Sequence, residues 1–298
     1  MMSVELSAVN KYFGARHAVA DLSLSIPEGS VYGFLGPNGA GKTSTIRMIM
    51  SILYPDSGEL RVLGNAAPER VKDRLGYLPE EKGLYKKMRV LELITYFGRL
   101  KGLSQQSAIA KARTLLEQFG LVAVENQRCE SLSKGMGQKV QIIATIIHDP
   151  ELIILDEPFS GLDPINVELV RDLILQLRAE GRTVIFSTHI MEQAEQLCDH
   201  LLLIDGGKKL IDGSVESVKK QFEPTITVEY QGDPSHLHQP GINRVNNMGR
   251  MAELSVTNEA DGQQILKQLM QHLEITSFAF KEPSLHEIFV RTVRTSKT

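Results

Sequence analysis

The chain of 298 residues carries 36 acidic against 33 basic side chains, a formal net charge of -3, with 42% of residues hydrophobic and 23% charged. That composition suits one large or two smaller globular domains with a sizeable core, and without a basic block nucleic acid is not expected as a partner. Cys129 and Cys198 stand apart with no CxxC, so reduced thiols are expected rather than a disulfide framework or a zinc site; no leader-like start is read, and no apolar run approaches the about 18 residues of a spanning helix.

Across residues 4–64 short apolar strands are read between turn signals at Asn10 and Gly14, at Pro27-Glu28-Gly29 and at Pro55-Asp56-Ser57-Gly58. Within this strand-rich lobe, 31–35 is an apolar strand and 44–53 a helix. The middle third is expected to be helical over 90–97, over 108–119, where Ile109, Ala112, Leu115, Leu116 and Phe119 recur at helical spacing, and over 135–147. Strand and helix then alternate: strand 152–155, helix 167–180, strand 183–187. Short all-apolar strands of this kind are buried on both faces, which implies a parallel sheet covered by helices. Residues 201–204 and 209–211, joined through Asp205-Gly206-Gly207, read as a hairpin that closes a first domain. Beyond 221 the pattern changes. Ile226, Val228 and Tyr230 alternate, a polar loop with Pro234, Pro240 and Gly241 follows, and Ala252, Leu254 and Val256 alternate again. A helix bearing Ile265, Leu266, Leu269, Met270 and Leu273, a strand near Phe278 and Phe280, and a last helix with Leu285, Ile288 and Phe289 complete a separate small α+β domain.

Residues 36–43, GPNGAGKT, fit GxxxxGKS/T with a strand before and a helix after, the context that motif requires. Gly36, Gly39 and Gly41 let the backbone curl so that its N–H groups face a β-phosphate, and the helix N-terminus adds partial positive charge. Lys42 is expected to reach the β- and γ-phosphates and Thr43 the magnesium ion, with Asn38, Ala40 and Ser44 completing the nucleotide-binding run. A glycine-rich turn that merely mimics the motif is the bland alternative. Asp156 and Glu157 end the aliphatic run 152–155, which puts two carboxylates at the carboxyl edge of a sheet, where doubly wound folds build their sites. Asp156 is expected to hold magnesium, and Glu157 to orient or deprotonate the attacking water. Alone, the pair could be a solvated acidic turn.

GPNGAGKT, LSKGMGQK at 132–139, LIILDEP at 152–158, SGLD at 160–163 and the lone His189 after TVIFST together resemble the ATP-binding subunits of ABC transporters, in order and spacing across 4–220. The resemblance implies an α/β fold with a P-loop nucleotidase core, a β-rich lobe and a helical lobe near 85–148, all within 1–220, followed by the α+β appendage 221–298. It implies a head-to-tail homodimer in which ATP and magnesium lie between the phosphate loop of one copy and the signature segment of the other. Such a dimer is an ATPase that drives a separately encoded integral-membrane permease, here an exporter, from the cytoplasmic inner face of the membrane. By the same resemblance Ser133, through its hydroxyl, and Gly135, through its N–H, would meet the γ-phosphate in trans, a fitting role for the start of a helix. Asp163 would couple the two sites, His189 would contact the γ-phosphate, and Phe13, whose spacing to Gly36 suits the family better than that of Tyr12, would give adenine an aromatic face. An N-capped helix, a plain turn and a core ring are the bland readings of these residues.

Three positions depart from the family pattern. Lys134 replaces a glycine and Met136 a glutamine of LSGGQ, and Glu80 stands after Pro79 where glutamine is usual. An ionised glutamate only accepts hydrogen bonds and binds a hard cation more strongly, so Glu80 is a candidate metal ligand; a salt bridge to a neighbour such as Lys82 is the equal alternative. LPEEKGLYKKM at 78–88 is similar to the sodium-efflux branch, which points to sodium or another small solute, selected by the permease, as cargo. His236 and His238 form an HxH pair without supporting ligands and read as a solvated loop. EPSLHEIFVRTV at 282–293 is similar to the end of an appendage on exporter-type ATPases and could serve dimer contact, regulation or packing. The competing function is a soluble ABC-type ATPase with a regulatory role, which would tolerate loss of Glu157 or His189; both are present.

Overall fold

The computed structural model describes residues 1–80, 83–222, 225–256 and 262–296. The chain divides into two compact units, Met1–Gly213 and Ser214–Thr298.

The first unit opens with two long strands, β1 (Met2–Phe13) and β2 (Arg16–Pro27), paired antiparallel and joined at Gly14. With β4 (Ser57–Val62) they make a three-stranded sheet in the order β2-β1-β4. The expectation of short strands is corrected here. Register shifts between Leu6 and Val9 and between Val9 and Lys11 break the two-residue alternation, so one bulged strand looks like pieces in sequence.

Beneath it lies a six-stranded sheet in the order β5-β6-β7-β3-β8-β9, formed by β3 (Val31–Leu35), β5 (Leu75–Leu78), β6 (Leu152–Asp156), β7 (Thr183–Thr188), β8 (His200–Asp205) and β9 (Lys208–Ser214). The pairs β5·β6, β6·β7, β3·β7 and β3·β8 are parallel, and every residue of β3, β6 and β7 is buried, as a sheet covered on both faces requires. Tyr32, Phe34, Ile154 and Ile185 on one face join Ile46 and Ile49 of α1 (Lys42–Ile49) and residues of β1 and β2 in a single core. Between β5 and β6 run the helices α2 (Val90–Leu100), α3 (Gln105–Gln118) and α4 (Lys134–Ile146), followed after β6 by α5 (Pro164–Ala179) and after β7 by α6 (Met191–Leu197). Helices α3 and α5 start upstream of the apolar periodicity because caps, not apolar residues, define their starts. Ser104 accepts the Ser107 N–H at the start of α3, and Asp163 caps α5, whose first residue is Pro164. Helix α6 escapes the sequence pattern, being too short to repeat.

The second unit starts with α7 (Val215–Lys220), also too short to be read in advance. Its antiparallel sheet has the order β11-β12-β10-β13, with β10 (Thr225–Gln231), β11 (Ile242–Asn247), β12 (Met251–Val256) and β13 (Glu274–Lys281). One face of it packs on α8 (Gly262–Leu269) through Ile226, Val228, Leu254, Ile265 and Leu269, and α9 (Leu285–Ser296) follows β13. Strand β11, INRVNN, is an edge strand too polar to signal itself. The HxH pair is not a free loop: His236 sits in a 3-10 turn over Pro234–Leu237, its ring stacked on that of His272 at 4.5 Å. Among the described residues no helix is long and apolar enough to cross a membrane.

Candidate functional site

Strand order brings three carboxyl ends side by side: β6 with Asp156 and Glu157, β7 with Ser187 and Thr188, and β3 leading into residues 36–43. The loop after β3 curls over the ends of these strands. Gly36 adopts φ 150° and Gly41 φ 113°, and a Cβ on Gly36 would overlap the Ile204 carbonyl while one on Gly41 would lie 2.6 Å from the Ala18 carbonyl. The Lys42 ammonium donates inward to the carbonyls of Gly36 at 2.7 Å and Pro37 at 3.2 Å, which closes the curl. Lys42 is 6% exposed; burial pushes its ammonium below the ordinary value, opposed by the carboxylates of Glu157, Asp156 and Glu80.

A connected set of polar groups backs this loop. The Ser187 hydroxyl donates to Asp156 Oδ1 at 2.5 Å and accepts the Glu157 N–H at 3.0 Å. Glu157 itself has φ 50°, a left-handed conformation that costs a non-glycine residue about 1–3 kcal/mol and that the Ser187 bond helps to hold. Its carboxylate lies 3.9 Å from Lys42 Nζ and 3.1 Å from His189 Nδ1, so Lys42, Glu157 and His189 form one row of side chains. Asp156 is 1% exposed, and its second oxygen, Oδ2, has no hydrogen-bond partner. An orphaned carboxylate oxygen at full burial is costly and calls for a cation.

The cavity in front of these groups, about 390 Å³, is lined by Asn38, Gly39, Ala40, Gly41, Lys42, Thr43 and Ser44 of the loop, by Asp156, Glu157 and Glu80, and by Phe13. Tyr12 does not line it; its ring stacks on His17 at 4.0 Å instead. Glu80 faces the cavity, and the alternative partner named for it, Lys82, lies outside the described residues along with Glu81. Two lining groups were not anticipated, Arg16 and Ala18. Arg16 donates to the Gly39 carbonyl at 2.6 Å from the turn-proximal end of β2, a contact that no linear motif encodes. Ser187 was missed too, although its place one residue before the end of β7, opposite Asp156 in register, marks it once the parallel pairing is known.

Magnesium is usually held by one or two carboxylates, with substrate phosphates supplying other ligands. Asp156 Oδ2, the Thr43 hydroxyl and Glu80 fit such a group.

Ser133, Gly135 and Asp163 do not line this cavity. Ser133 caps α4, accepting the Met136 N–H at 3.3 Å. Asp163 caps α5 through the Asn166 N–H at 3.0 Å, and that bond, with a second from the Asn166 amide, holds its carboxyl below the usual range. The two caps are neighbours: a Cβ on Gly135 would lie 3.5 Å from Asn166 Nδ2, and Gln138 of α4 donates to the Pro158 carbonyl at 3.2 Å.

Comparison with known proteins matches residues 19–160 to the ABC transporter family and residues 213–293 to the family of the ATP-binding protein DrrA1-3-like C-terminal domain. The chain is 40% identical over 287 residues to an uncharacterized ABC transporter ATP-binding protein, YhaQ, of Bacillus subtilis (strain 168), covering 96% of each chain. It is 44% identical over 205 residues to the ABC transporter ATP-binding protein NatA of the same organism, over 67% of this chain and 83% of that one. With the Nod factor export ATP-binding protein I of Rhizobium leguminosarum bv. viciae it shares 32% identity over 297 residues, 97% of this chain and 94% of that one. A solved ATP binding subunit of an ABC transporter matches with a TM-score of 0.69 at 28% identity, over 74% of this chain and 93% of that one.

Proposed function

Since this chain belongs to the ABC transporter ATP-binding family and is an ATPase of that family, we propose that two copies bind two ATP molecules between them and drive a separately encoded membrane permease as an exporter. The observation that carries the proposal is the row Lys42, Glu157 and His189 beside the orphaned Asp156 Oδ2. In this reading the N–H groups of residues 39–44 and the Lys42 ammonium hold the β- and γ-phosphates, and Phe13 covers the adenine. Glu157 takes the proton of the attacking water, while His189, hydrogen-bonded to the Glu157 carboxylate, orients it and contacts the γ-phosphate. Magnesium, when bound to Asp156, Thr43 and Glu80, supplies positive charge to the phosphate oxygens. Ser133 and Gly135 of the second copy meet the same γ-phosphate, and Asp163 links one site to the other.

A place for the permease is available in the helical lobe. A mostly apolar cavity of about 270 Å³ lies among Leu78, Pro79, Leu84, Leu93, Phe97 and His148. Beside it Tyr85 and Tyr96 are 52% and 40% exposed, in edge contact with each other at 5.9 Å and both packed on Phe97. Exposed aromatic rings around an apolar cleft are what a partner's cytoplasmic segment needs as an anchor. The chain would then sit peripherally on the inner face of the membrane. Export follows the relative whose name states it, and the likeness to the sodium-efflux branch favours a small solute as cargo.

The test is a Tyr85→Ser, Tyr96→Ser variant expressed with its native membrane partners. The proposal expects the variant to keep the basal ATPase rate of the isolated subunit and to lose co-purification with a multi-spanning protein. Unchanged membrane association, or the absence of any multi-spanning partner of the unaltered chain, overturns the transport reading in favour of a regulatory ATPase.

A further inference from the structure

The second unit holds a polar cavity of about 240 Å³ that nucleotide chemistry leaves unused. Strand alternation turns Ile226, Val245 and Leu254 toward α8, so their neighbours face the other side of the sheet. There, Arg244 of β11 pairs with Ser255 of β12, which pairs with Thr225 of β10, and in the next row Asn246 pairs with Glu253. Polar side chains from three adjacent strands thus share one face, and α9 adds His286 and Arg291 to the lining.

Two features turn this from a polar surface into a built site. Thr225 is 3% exposed, and its hydroxyl has no hydrogen-bond partner, an unusual state for a buried donor. The acidic groups, in contrast, are already committed. Glu253 pairs with Lys281 at 3.5 Å through one oxygen and accepts the Asn246 amide at 3.4 Å through the other. Glu287 pairs with Lys281 at 3.1 Å and accepts the Ser284 N–H at 3.2 Å, while its own N–H donates to Ser284 Oγ, a capping box that starts α9. Arg244 makes no ion pair among the described residues. With the carboxylates engaged internally, what the cavity offers a ligand is a guanidinium and a desolvated hydroxyl, the donor set that suits an oxyanion.

We propose that this cavity binds a small acid through its carboxylate or phosphate group, held by the Arg244 guanidinium and the Thr225 hydroxyl. The volume limits the ligand to a few heavy atoms beyond the charged group, below the usual range of about 300–1,000 Å³ for drug-sized sites.

The test uses the full-length, isotopically labelled chain saturated with ADP, so that the phosphate loop is occupied, titrated separately with inorganic phosphate and with succinate. The amide signals of Thr225, Arg244 and Ser255 are followed. At least one probe should produce saturable shifts at these residues, and which probe does so separates a phosphate site from a carboxylate site. Arg244→Ala, a change of an exposed side chain, should weaken that binding about tenfold or more, as loss of a charge-assisted hydrogen bond does. Thr225→Val keeps the shape and should weaken it as well. Non-saturating shifts with both probes, or binding in either variant as tight as in the unaltered chain, overturn the proposal. Neither result bears on ATP hydrolysis, so the site and the transport reading fail separately.

Discussion

Two regions of the first unit carry the residues proposed to meet phosphate, and they are finished to different degrees. At the carboxyl ends of β3, β6 and β7, Lys42, Glu157, His189, Asp156 and Ser187 are already hydrogen-bonded or ion-paired to one another around a cavity, and a single buried oxygen awaits a partner. At the N-termini of α4 and α5, Ser133 and Asp163 cap their own helices, and neither lines that cavity. The first region is organised within one chain; the second is a pair of neighbouring helix starts, each capped by its own side chain. The contrast fits the proposed composite site split between two copies, and it can be attacked from either side.

The largest effect should come from the organised region. Glu157→Gln keeps the shape and removes the base, so hydrolysis should fall by roughly a hundredfold or more while equilibrium ATP binding persists. Near-normal turnover in a single-turnover assay would remove Glu157 from the chemistry. The next tests whether the second region serves another copy. Gly135→Asp introduces negative charge where an anion is expected, and the space at Gly135 admits the new Cβ. It should lower turnover by roughly a hundredfold, the lower end of the range seen when a preorganised anion donor is lost. Lys42→Ala alone should be inactive too. Mixed together, the two inactive proteins should regain activity, because a hybrid dimer contains one site with both halves intact. No recovery in a mixture that demonstrably exchanges subunits would mean that both regions act within one chain.

A smaller effect is expected at the base. Phe13→Ala should weaken ATP binding by roughly three- to tenfold, since an aromatic pair contributes about 0.5–1.5 kcal/mol beyond its buried area. Tyr12→Ala, which removes a ring stacked on His17 outside the cavity, should change affinity little. Equal losses at the two positions, measured by nucleotide titration, would mean that the adenine lies elsewhere.

What could be read in advance follows from the range of the interactions. The loop residues 36–44 and the pair Asp156 and Glu157 are local in sequence, each fixed by a strand end and a turn, and the cavity collects 38–44 of the loop together with both carboxylates. Arg16 and Ser187 act over distance. Arg16 reaches the Gly39 carbonyl because β2 ends beside the loop, and Ser187 bridges Asp156 and Glu157 because β6 and β7 are parallel neighbours in register. Pairing between strands leaves no trace in a linear pattern. The polar edge strand β11 and the short helices α6 and α7 were silent for another reason: each is shorter or more polar than a periodic signal needs.

The departure at Lys134 offers the finest test of the contrast. In the family's commonest signature a glycine stands here, and the side chain present instead reaches across to the SGLD loop: a Cβ on Gly161 would overlap the end of the Lys134 arm. Lys134 therefore could contribute charge to a phosphate from the other copy, or packing that ties the start of α4 to the loop preceding Asp163. The two contributions separate by substitution. Lys134→Met keeps an unbranched arm and loses the charge, whereas Lys134→Gly loses both. An exposed charge contributes at most about 1 kcal/mol, so a role in attraction should raise KM for ATP by about fivefold at most in both variants and reduce its dependence on salt. A role in packing should leave Lys134→Met close to the unaltered protein and lower kcat only in Lys134→Gly, through a loosened Gly161 loop. Since the arm already lies over Gly161 in the single chain, the packing outcome is expected, and a KM that shifts equally in both variants would reverse that assignment.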